Sequence, residues 1–222
     1  MGFIATDTGG GDFKMVPPGA HLGRCYELID MGTQTNETGM YAGKSDHKIK
    51  IGFELFGEDE DGNPLTIEVN GKEMPLTITK DYTVSLHEKA NLRKELAAWR
   101  GKDFTEEEAL GFDVTKLIGA YAMVNVTHKT NTKGKTRANI SGLSPLPSML
   151  KNAKPAPVHA NRIFNLDNPD MELFATFYEY LQETIKKSPE WKKATGVQES
   201  VMGTTTPLTG GAFDGFNDEA GF

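Results

Sequence analysis

The sequence contains little of what marks several large protein classes. A single cysteine, Cys25, stands outside any CxxC motif, which excludes an internal disulfide framework. The five histidines are scattered, so we expect no zinc site and no other metal or cofactor. No apolar run reaches the roughly 18 residues that a membrane-spanning helix needs, and Met1–Gly11 lacks a signal-peptide pattern. These absences predict an intracellular protein with no membrane association.

Acidic residues are missing from one long stretch of a chain whose formal net charge is −7. Between Asp113 and Asp167 there is no aspartate or glutamate. This stretch, the acid-free window, contains the cations Lys116, Lys129, Lys133, Lys135, Arg137, Lys151, Lys154 and Arg162. Because local potential decides whether a polyanion can dock, the window predicts a basic surface for nucleic acid. A solvated basic face without a ligand is the alternative.

Lysine and arginine are absent from the last twenty residues, Gly203–Phe222. Small residues dominate this tail, which cannot bury enough apolar surface to offset the entropy of ordering, so we expect it to be flexible. Acidic tails commonly serve only solubility. The spaced aromatic residues instead favour capture by a partner protein with a basic, apolar groove. The predicted partner-binding residues are Phe213, Asp214, Phe216, Asp218, Glu219 and Phe222.

Alternating apolar and polar residues predict the strands. The clearest case is His47–Phe56, where every second residue from Ile49 to Leu55 is apolar and Lys48 and Lys50 lie on the opposite face. The other long strands are predicted at Leu22–Met31, Met74–Leu86, Leu117–His128 and Thr136–Ser144. A small hairpin is predicted around Asn70-Gly71.

Capping and spacing patterns predict the helices and the divisions of the chain. Ser85 and Glu88 have capping-box spacing before an apolar repeat that ends at Gly101, which predicts a helix of about four turns. A later apolar stripe, from Phe174 to Ile185, is expected to pack on the domain or on a second subunit, so a homo-oligomer stays open. The predicted divisions are a flexible lead-in at 1–19, a main domain at 20–147, a Pro-rich linker and helical extension at 148–200, and a disordered acidic tail at 201–222.

The element order strand, strand, strand, helix, strand, strand is that of an OB-fold. We therefore predict a mainly β protein with appended helices. Its core would be a five-stranded Greek-key barrel with a helix between strands three and four, followed by a C-terminal helical extension. Ligands of this fold lie across strands two and three, flanked by the loop after strand one and the loop joining strands four and five.

Those regions carry the cations and aromatic rings that single-stranded nucleic acid needs for its phosphates and bases. The predicted nucleic-acid-binding residues are Tyr41, Lys44, His47, Lys48, Lys50, Phe56, Tyr82, Tyr121, Lys129, Lys133, Lys135 and Arg137. A core position is an equal alternative for Tyr82 and Tyr121. Phe56 lies on the polar face of its strand and is the better candidate for stacking on a base.

Several stretches of the sequence carry a family resemblance. They are Tyr82–Leu86, Leu92–Leu96, Trp99–Lys102, Gly111–Asp113 and Leu143–Pro147, together with the acidic tail that ends in Phe222. With these, the chain resembles phage-encoded single-stranded DNA-binding proteins. The resemblance implies an OB-fold that coats single-stranded DNA during phage replication or recombination in the cytoplasm of a bacterial host. It also implies that the tail recruits replication or recombination proteins.

No catalytic signature stands out, so we expect that the protein is not an enzyme. Gly39–Ser45 nearly spells a phosphate-binding loop, but only three residues separate its glycines and an alternating strand follows it. The acidic turn Glu58–Asp61 is typical of solvent exposure rather than of a metal-dependent nuclease. Two other functions stay open. They are a mediator that anneals complementary strands, and a protein-interaction or virion accessory module without nucleic-acid binding.

Overall fold

The computed structural model of the protein describes residues 14–196. The strands are β1 (Gly19–Thr35), β2 (Ser45–Phe56), β3 (Thr66–Val69), β4 (Lys72–Pro75), β5 (Thr77–Thr83), β6 (Tyr121–Thr130), β7 (Thr136–Ser144) and β8 (Arg162–Phe164). The helices are α1 (Asn91–Arg100), α2 (Glu106–Leu110), α3 (Met171–Ala175), α4 (Glu179–Lys186) and α5 (Pro189–Thr195). The predicted class, mainly β with helices added, is confirmed.

The central sheet has the strand order β5-β2-β1-β6-β7, with every neighbouring pair antiparallel. The long β1 changes its neighbour along its length, because Gly19–Arg24 pair with β6 and Glu27–Ile29 pair in parallel with β8. This exchange coincides with a register irregularity between Cys25 and Glu27, and such irregularities bend a strand. The bend turns the second half of β1 toward the C-terminal extension.

The sheet is not closed into a barrel. Within residues 14–196 no backbone ladder joins the edge strands β5 and β7. The ammonium group of Lys80 on β5 lies in this gap, where it pairs with Glu95 of α1 and donates to the Ile140 carbonyl of β7 at 3.0 Å. The barrel that the OB-fold prediction requires is therefore not observed, although α1 does lie between the third and fourth long strands in chain order.

Two hydrophobic clusters hold the described part together. The first lies between the sheet and α1 and includes Ile49, Ile51, Phe53 and Leu55, so the predicted inner face of β2 is confirmed. The second packs β1 against the C-terminal extension, and its members are Ile29, Met31, Phe164, Leu166, Phe174, Phe177, Leu181, Ile185 and Trp191. The predicted apolar stripe of the extension thus packs on the same chain, except for Tyr178, which is exposed.

A glycine permits the close approach of the extension to β1. Gly32 has a φ of +68°, and a Cβ at this position would lie 2.5 Å from the Cβ of Ser188, the residue that caps α5. Any side chain at position 32 would therefore be strained and would displace α5. The division between 147 and 148 stays a prediction, but the extension and β1 share this contact.

Element boundaries differ from the prediction in several places. The first helix begins at Asn91 after Ala90, which makes no side-chain cap, whereas the Ser85 hydroxyl accepts the His87 N–H in a turn. The capping box predicted at Ser85 is therefore wrong, and the helix has 10 residues rather than four turns. It ends as predicted at Gly101, with a left-handed φ of 71°. No helix of residues 14–196 has the length and apolarity to cross a bilayer.

Candidate nucleic-acid interface

Most of the outer face of β2 makes contacts within the protein. Alternate residues point outward as predicted, but Lys50 pairs with Asp81 of β5, and Lys48 donates to the Thr83 hydroxyl at 2.8 Å. Glu54, six residues after Lys48 on the same face, is fully buried. The two lysines therefore already have partners in the neighbouring strand, and the far end of the face is covered.

Glu54 is buried by residues 155–161, which we call the strap. Its Oε2 accepts the backbone N–H of His159 at 2.8 Å and the His159 ring Nδ1–H at 3.0 Å. Its Oε1 pairs with the Arg24 guanidinium, which also donates to the Asn161 side-chain oxygen and the His159 carbonyl, at 2.5 Å each. Burial alone would raise the pKa of Glu54, but the hydrogen bonds from His159 and Arg24 hold this pKa below its ordinary value. The strap thus occupies the centre of the face that the prediction assigned to the ligand.

An open groove of about 650 Å³ lies beside the N-terminal end of β2, between the β1–β2 loop, β5 and the loop before α1. Its cationic and aromatic lining residues include Tyr41, Lys44, Lys48, Lys80, His87 and Lys89. Tyr41 is 65% exposed, as a stacking residue must be. However, Lys44 pairs with Asp46 at 3.2 Å and Lys80 pairs with Glu95, so much of the positive charge in the groove is compensated.

Two of the predicted contact residues have structural roles. Tyr82 is only 3% exposed and its hydroxyl donates to Glu95 at 2.6 Å, so its predicted stacking role is wrong. Burial and the nearby Glu95 carboxylate raise the pKa of the Tyr82 phenol, which keeps it protonated. The His47 ring lies 2.7 Å from an Asp30 oxygen and 3.5 Å from an oxygen of Glu190 on α5. This ring therefore links β2 to the C-terminal extension.

The β6–β7 hairpin has a different electrostatic character. Lys129 and Arg137 are exposed and lie directly opposite each other in the ladder. Lys133 and Lys135 lie in or beside the turn, where the Asn131 side-chain oxygen accepts the backbone N–H groups of both, at 3.0 and 2.9 Å. Within residues 14–196, no ion pair involves any of these four cations. These four cations therefore form an exposed basic surface on the hairpin, and its role in nucleic-acid binding stays a prediction.

An aromatic pair lies at the other end of the same face of β6. The rings of Phe56 and Tyr121 are half-buried, with centroids 6.3 Å apart and planes inclined by 30°. The Lys154 ammonium lies 5.4 Å from the Tyr121 ring centroid. Tyr121 and Lys129 are eight residues apart, so they share one face of the strand at a separation of about 26 Å.

Apart from His47, Lys50 and Tyr82, the predicted contact residues fall into two groups. One group surrounds the groove and contains Tyr41, Lys44 and Lys48, and the hairpin cations are not among the residues that line it. The other group follows the outer face of β6 and β7 from the aromatic pair to the turn. That all segments converge on one ligand-binding face stays a prediction.

Three lysines near these groups were not predicted as contacts. Lys80 and Lys89 line the groove, and Lys154 lies over Tyr121. The acid-free window already contained a signal for Lys154. Lys80 had no comparable signal, because it lies on the same parity of β5 as the buried Ile78 and Tyr82. Its neighbours Glu95 and Ile140 become apparent only in the fold.

Part of the prediction falls outside the described residues. The partner-binding residues Phe213, Asp214, Phe216, Asp218, Glu219 and Phe222 all lie beyond residue 196. Their role stays a prediction from sequence. Within residues 14–196, no cluster of three or more histidine, cysteine, aspartate or glutamate side chains is arranged to hold a metal ion.

Comparisons with known proteins do not place this chain in a family. The chain matches no protein-family model, and no curated protein is significantly similar to it.

Proposed function

We propose that the protein is a non-enzymatic binder of single-stranded DNA with little sequence preference, acting in phage DNA replication or recombination. The observation that carries this proposal is the β6–β7 hairpin. Lys129 faces Arg137 there, Lys133 and Lys135 follow in or beside the turn, and no acidic partner accompanies them within residues 14–196.

The charge arrangement of the hairpin is unfavourable for folding alone. Like charges directly opposite each other in a ladder destabilise the pair of strands. A phosphate backbone bound between Lys129 and Arg137 would neutralise both cations and release counterions from the nucleic acid. A binding role therefore accounts for an arrangement that stability does not favour.

We also propose that the open sheet is an incomplete OB-fold. Its strand order and the position of α1 between β5 and β6 agree with that topology. The Lys80 ammonium, which reaches both Glu95 and the Ile140 carbonyl, lies between the two strands that would close the barrel. OB-folds are partly open, so this side-chain bridge is compatible with the proposed fold.

The proposal assigns the recruitment of replication or recombination proteins to the tail. This part rests on the sequence alone. The tail carries three phenylalanines and three acidic residues without any lysine or arginine. A partner with a basic, apolar groove would bind these aromatic and acidic groups together.

The test is a titration of a labelled single-stranded oligonucleotide and its duplex at several salt concentrations. The protein should bind the single strand more tightly than the duplex. For each tenfold increase in salt concentration, the logarithm of its binding constant should fall by about 0.7 per phosphate contacted. The variant Lys133→Gln/Lys135→Gln should have a shallower slope. Lys186→Gln/Lys187→Gln, which removes the same charge from α4 and its C-terminal cap, should behave like the native protein. Absence of binding at low salt would contradict the proposal and favour a protein-interaction module.

A further inference from the structure

The Tyr121 ring is held in a fixed position on the outer face of the sheet. Its hydroxyl donates to the carbonyl of Pro155, the first residue of the strap, at 2.6 Å. Its backbone carbonyl accepts the indole N–H of Trp99 at 2.9 Å. The ring is therefore fixed at both its hydroxyl end and its backbone, and it is half-buried, so part of its surface stays accessible.

The strap that holds this ring is itself anchored by buried charges. Arg24 is 2% exposed and Glu54 is fully buried, and together they satisfy the polar groups of His159 and Asn161. Breaking one partner of such a network leaves an uncompensated buried charge. The strap is thus a stable part of the fold and provides a rigid support for Tyr121.

The surroundings of the ring contain a second aromatic face and a cation. The Phe56 ring lies 6.3 Å away at an inclination of 30°, and the Lys154 ammonium lies 5.4 Å from the Tyr121 centroid. Lys154 is exposed and takes part in no ion pair within residues 14–196. Its only partner there is the ring, and a cation over an exposed ring is held only weakly. The ammonium can therefore leave the ring when a stronger anionic partner arrives.

We propose that Phe56, Tyr121 and Lys154 form a subsite for one unpaired nucleobase and its phosphate. The inference rests on the proposed function and adds the point at which the protein distinguishes single strands from duplexes. The base stacks on the aromatic pair, and Lys154 moves from the ring to the phosphate. Bases in a duplex have both faces covered by their neighbours and cannot stack there without being unstacked.

The subsite and the hairpin cations define a path for the nucleic acid. The path follows the outer face of β6 and β7 over about 26 Å, from Tyr121 to Lys129. It avoids the strap, which covers the centre of the β2 face. In this arrangement the hairpin contacts phosphates of any strand, and the subsite contacts a base.

The test compares a labelled 12-nucleotide oligothymidylate with a chain of the same length and charge whose sugars carry no bases. The native protein should bind the oligothymidylate about tenfold more tightly, since a stacked base contributes a factor of roughly 5 to 150. Tyr121→Leu should lose this advantage and bind both ligands alike, whereas Tyr121→Phe should retain most of it. Tyr180→Leu, at a tyrosine of α4 that is 82% exposed, is the matched control and should leave both affinities unchanged.

The outcomes separate the subsite from the proposed function. If Tyr121→Leu keeps the native preference for oligothymidylate, the subsite is wrong while DNA binding stands. Equal weakening of both ligands would also contradict the subsite, because the loss would then not involve a base. If the native protein binds neither ligand, the proposed function fails and the subsite fails with it. Phe56→Leu, with folding checked by thermal melting, repeats the test if Tyr121→Leu does not fold.

Discussion

Two surfaces of this protein carry lysines, and they differ in whether these lysines have partners in the fold. On the β2 face, Lys50 pairs with Asp81 and Lys48 donates to Thr83, while the strap covers Glu54. On the β6–β7 hairpin, Lys129 faces Arg137 without any acidic partner within residues 14–196. The lysines of the β2 face contact neighbouring residues of the fold, whereas the cations of the hairpin are available to a ligand.

The difference shows that the number of cations on a surface is a poor guide to its binding capacity. A paired lysine must lose its partner before it can bind a phosphate, so part of the gained interaction is offset. An exposed, unpaired cation loses only water and counterions. We therefore expect the hairpin to contribute more to nucleic-acid affinity than the β2 face, and the β2 face to contribute more to stability.

The largest expected effect concerns the network under the strap. Glu54→Ala leaves the buried Arg24 guanidinium without its carboxylate, and we expect the free energy of unfolding to fall by about 3–5 kcal/mol. Urea denaturation measures this change. The matched control is Glu37→Ala, which removes an exposed carboxylate 3.4 Å from Lys187 and should cost about 0–1 kcal/mol. Equal, small effects of the two variants would show that the strap does not depend on its charged anchor.

A smaller change of opposite sign in the free energy of unfolding is expected for a substitution in the hairpin. Arg137→Gln removes the repulsion between this residue and Lys129, so the free energy of unfolding should stay the same or rise by about 0.2–1 kcal/mol. Thermal unfolding in low salt provides the measurement. A clear loss of stability would mean that Arg137 has a structural partner, and the contrast between the two surfaces would then disappear.

The smallest expected effect is on the pH dependence of the free energy of unfolding, which two buried carboxyl groups change in opposite directions. Burial raises the pKa of Glu27 above its ordinary value of 4.5, against the opposing charges of Arg162, Lys50 and His159. The folded state therefore holds the Glu27 proton more tightly than the unfolded state does. This group makes the protein more stable as the pH falls from above its raised pKa to 4.5.

Glu54 acts in the opposite direction. Because its folded-state pKa is lowered, its contribution is present above pH 4.5 and is lost as the pH falls below that value. Urea denaturation between pH 7 and pH 3 measures both effects. As the pH falls from 7 to 4.5, the free energy of unfolding should rise less in Glu27→Gln than in the native protein. An unchanged profile in that variant would contradict the assigned role of Glu27.

The sequence predicted those parts of the fold that depend on local patterns. The alternation in β2 identified its inner face correctly, and Gly101 marked the end of α1. Tyr82 lies on the same parity as the buried Ile78, so its burial was also visible in the pattern. A side chain that repeats an apolar spacing is better read as core than as a contact for a ligand.

The strap could not be predicted, because its contacts join distant parts of the chain. Glu54 and His159 are 105 positions apart, and no local pattern relates them. The partners of Lys50 and Lys80 likewise come from neighbouring elements. The acid-free window did locate the unpaired cations of the hairpin, since a stretch without acids cannot pair its cations locally.

The role of the hairpin is tested most directly by the salt dependence of single-stranded DNA binding in two double variants. Lys129→Gln/Arg137→Gln changes the hairpin, and Lys48→Gln/Lys50→Gln changes the β2 face by the same charge. We expect the first variant to reduce the logarithmic salt slope by about 1.4, as the loss of two phosphate contacts requires, and the second to change it by less than half as much. A larger reduction in the β2 variant, or equal slopes in all three proteins, would show that the hairpin is not the main site that binds the phosphate backbone.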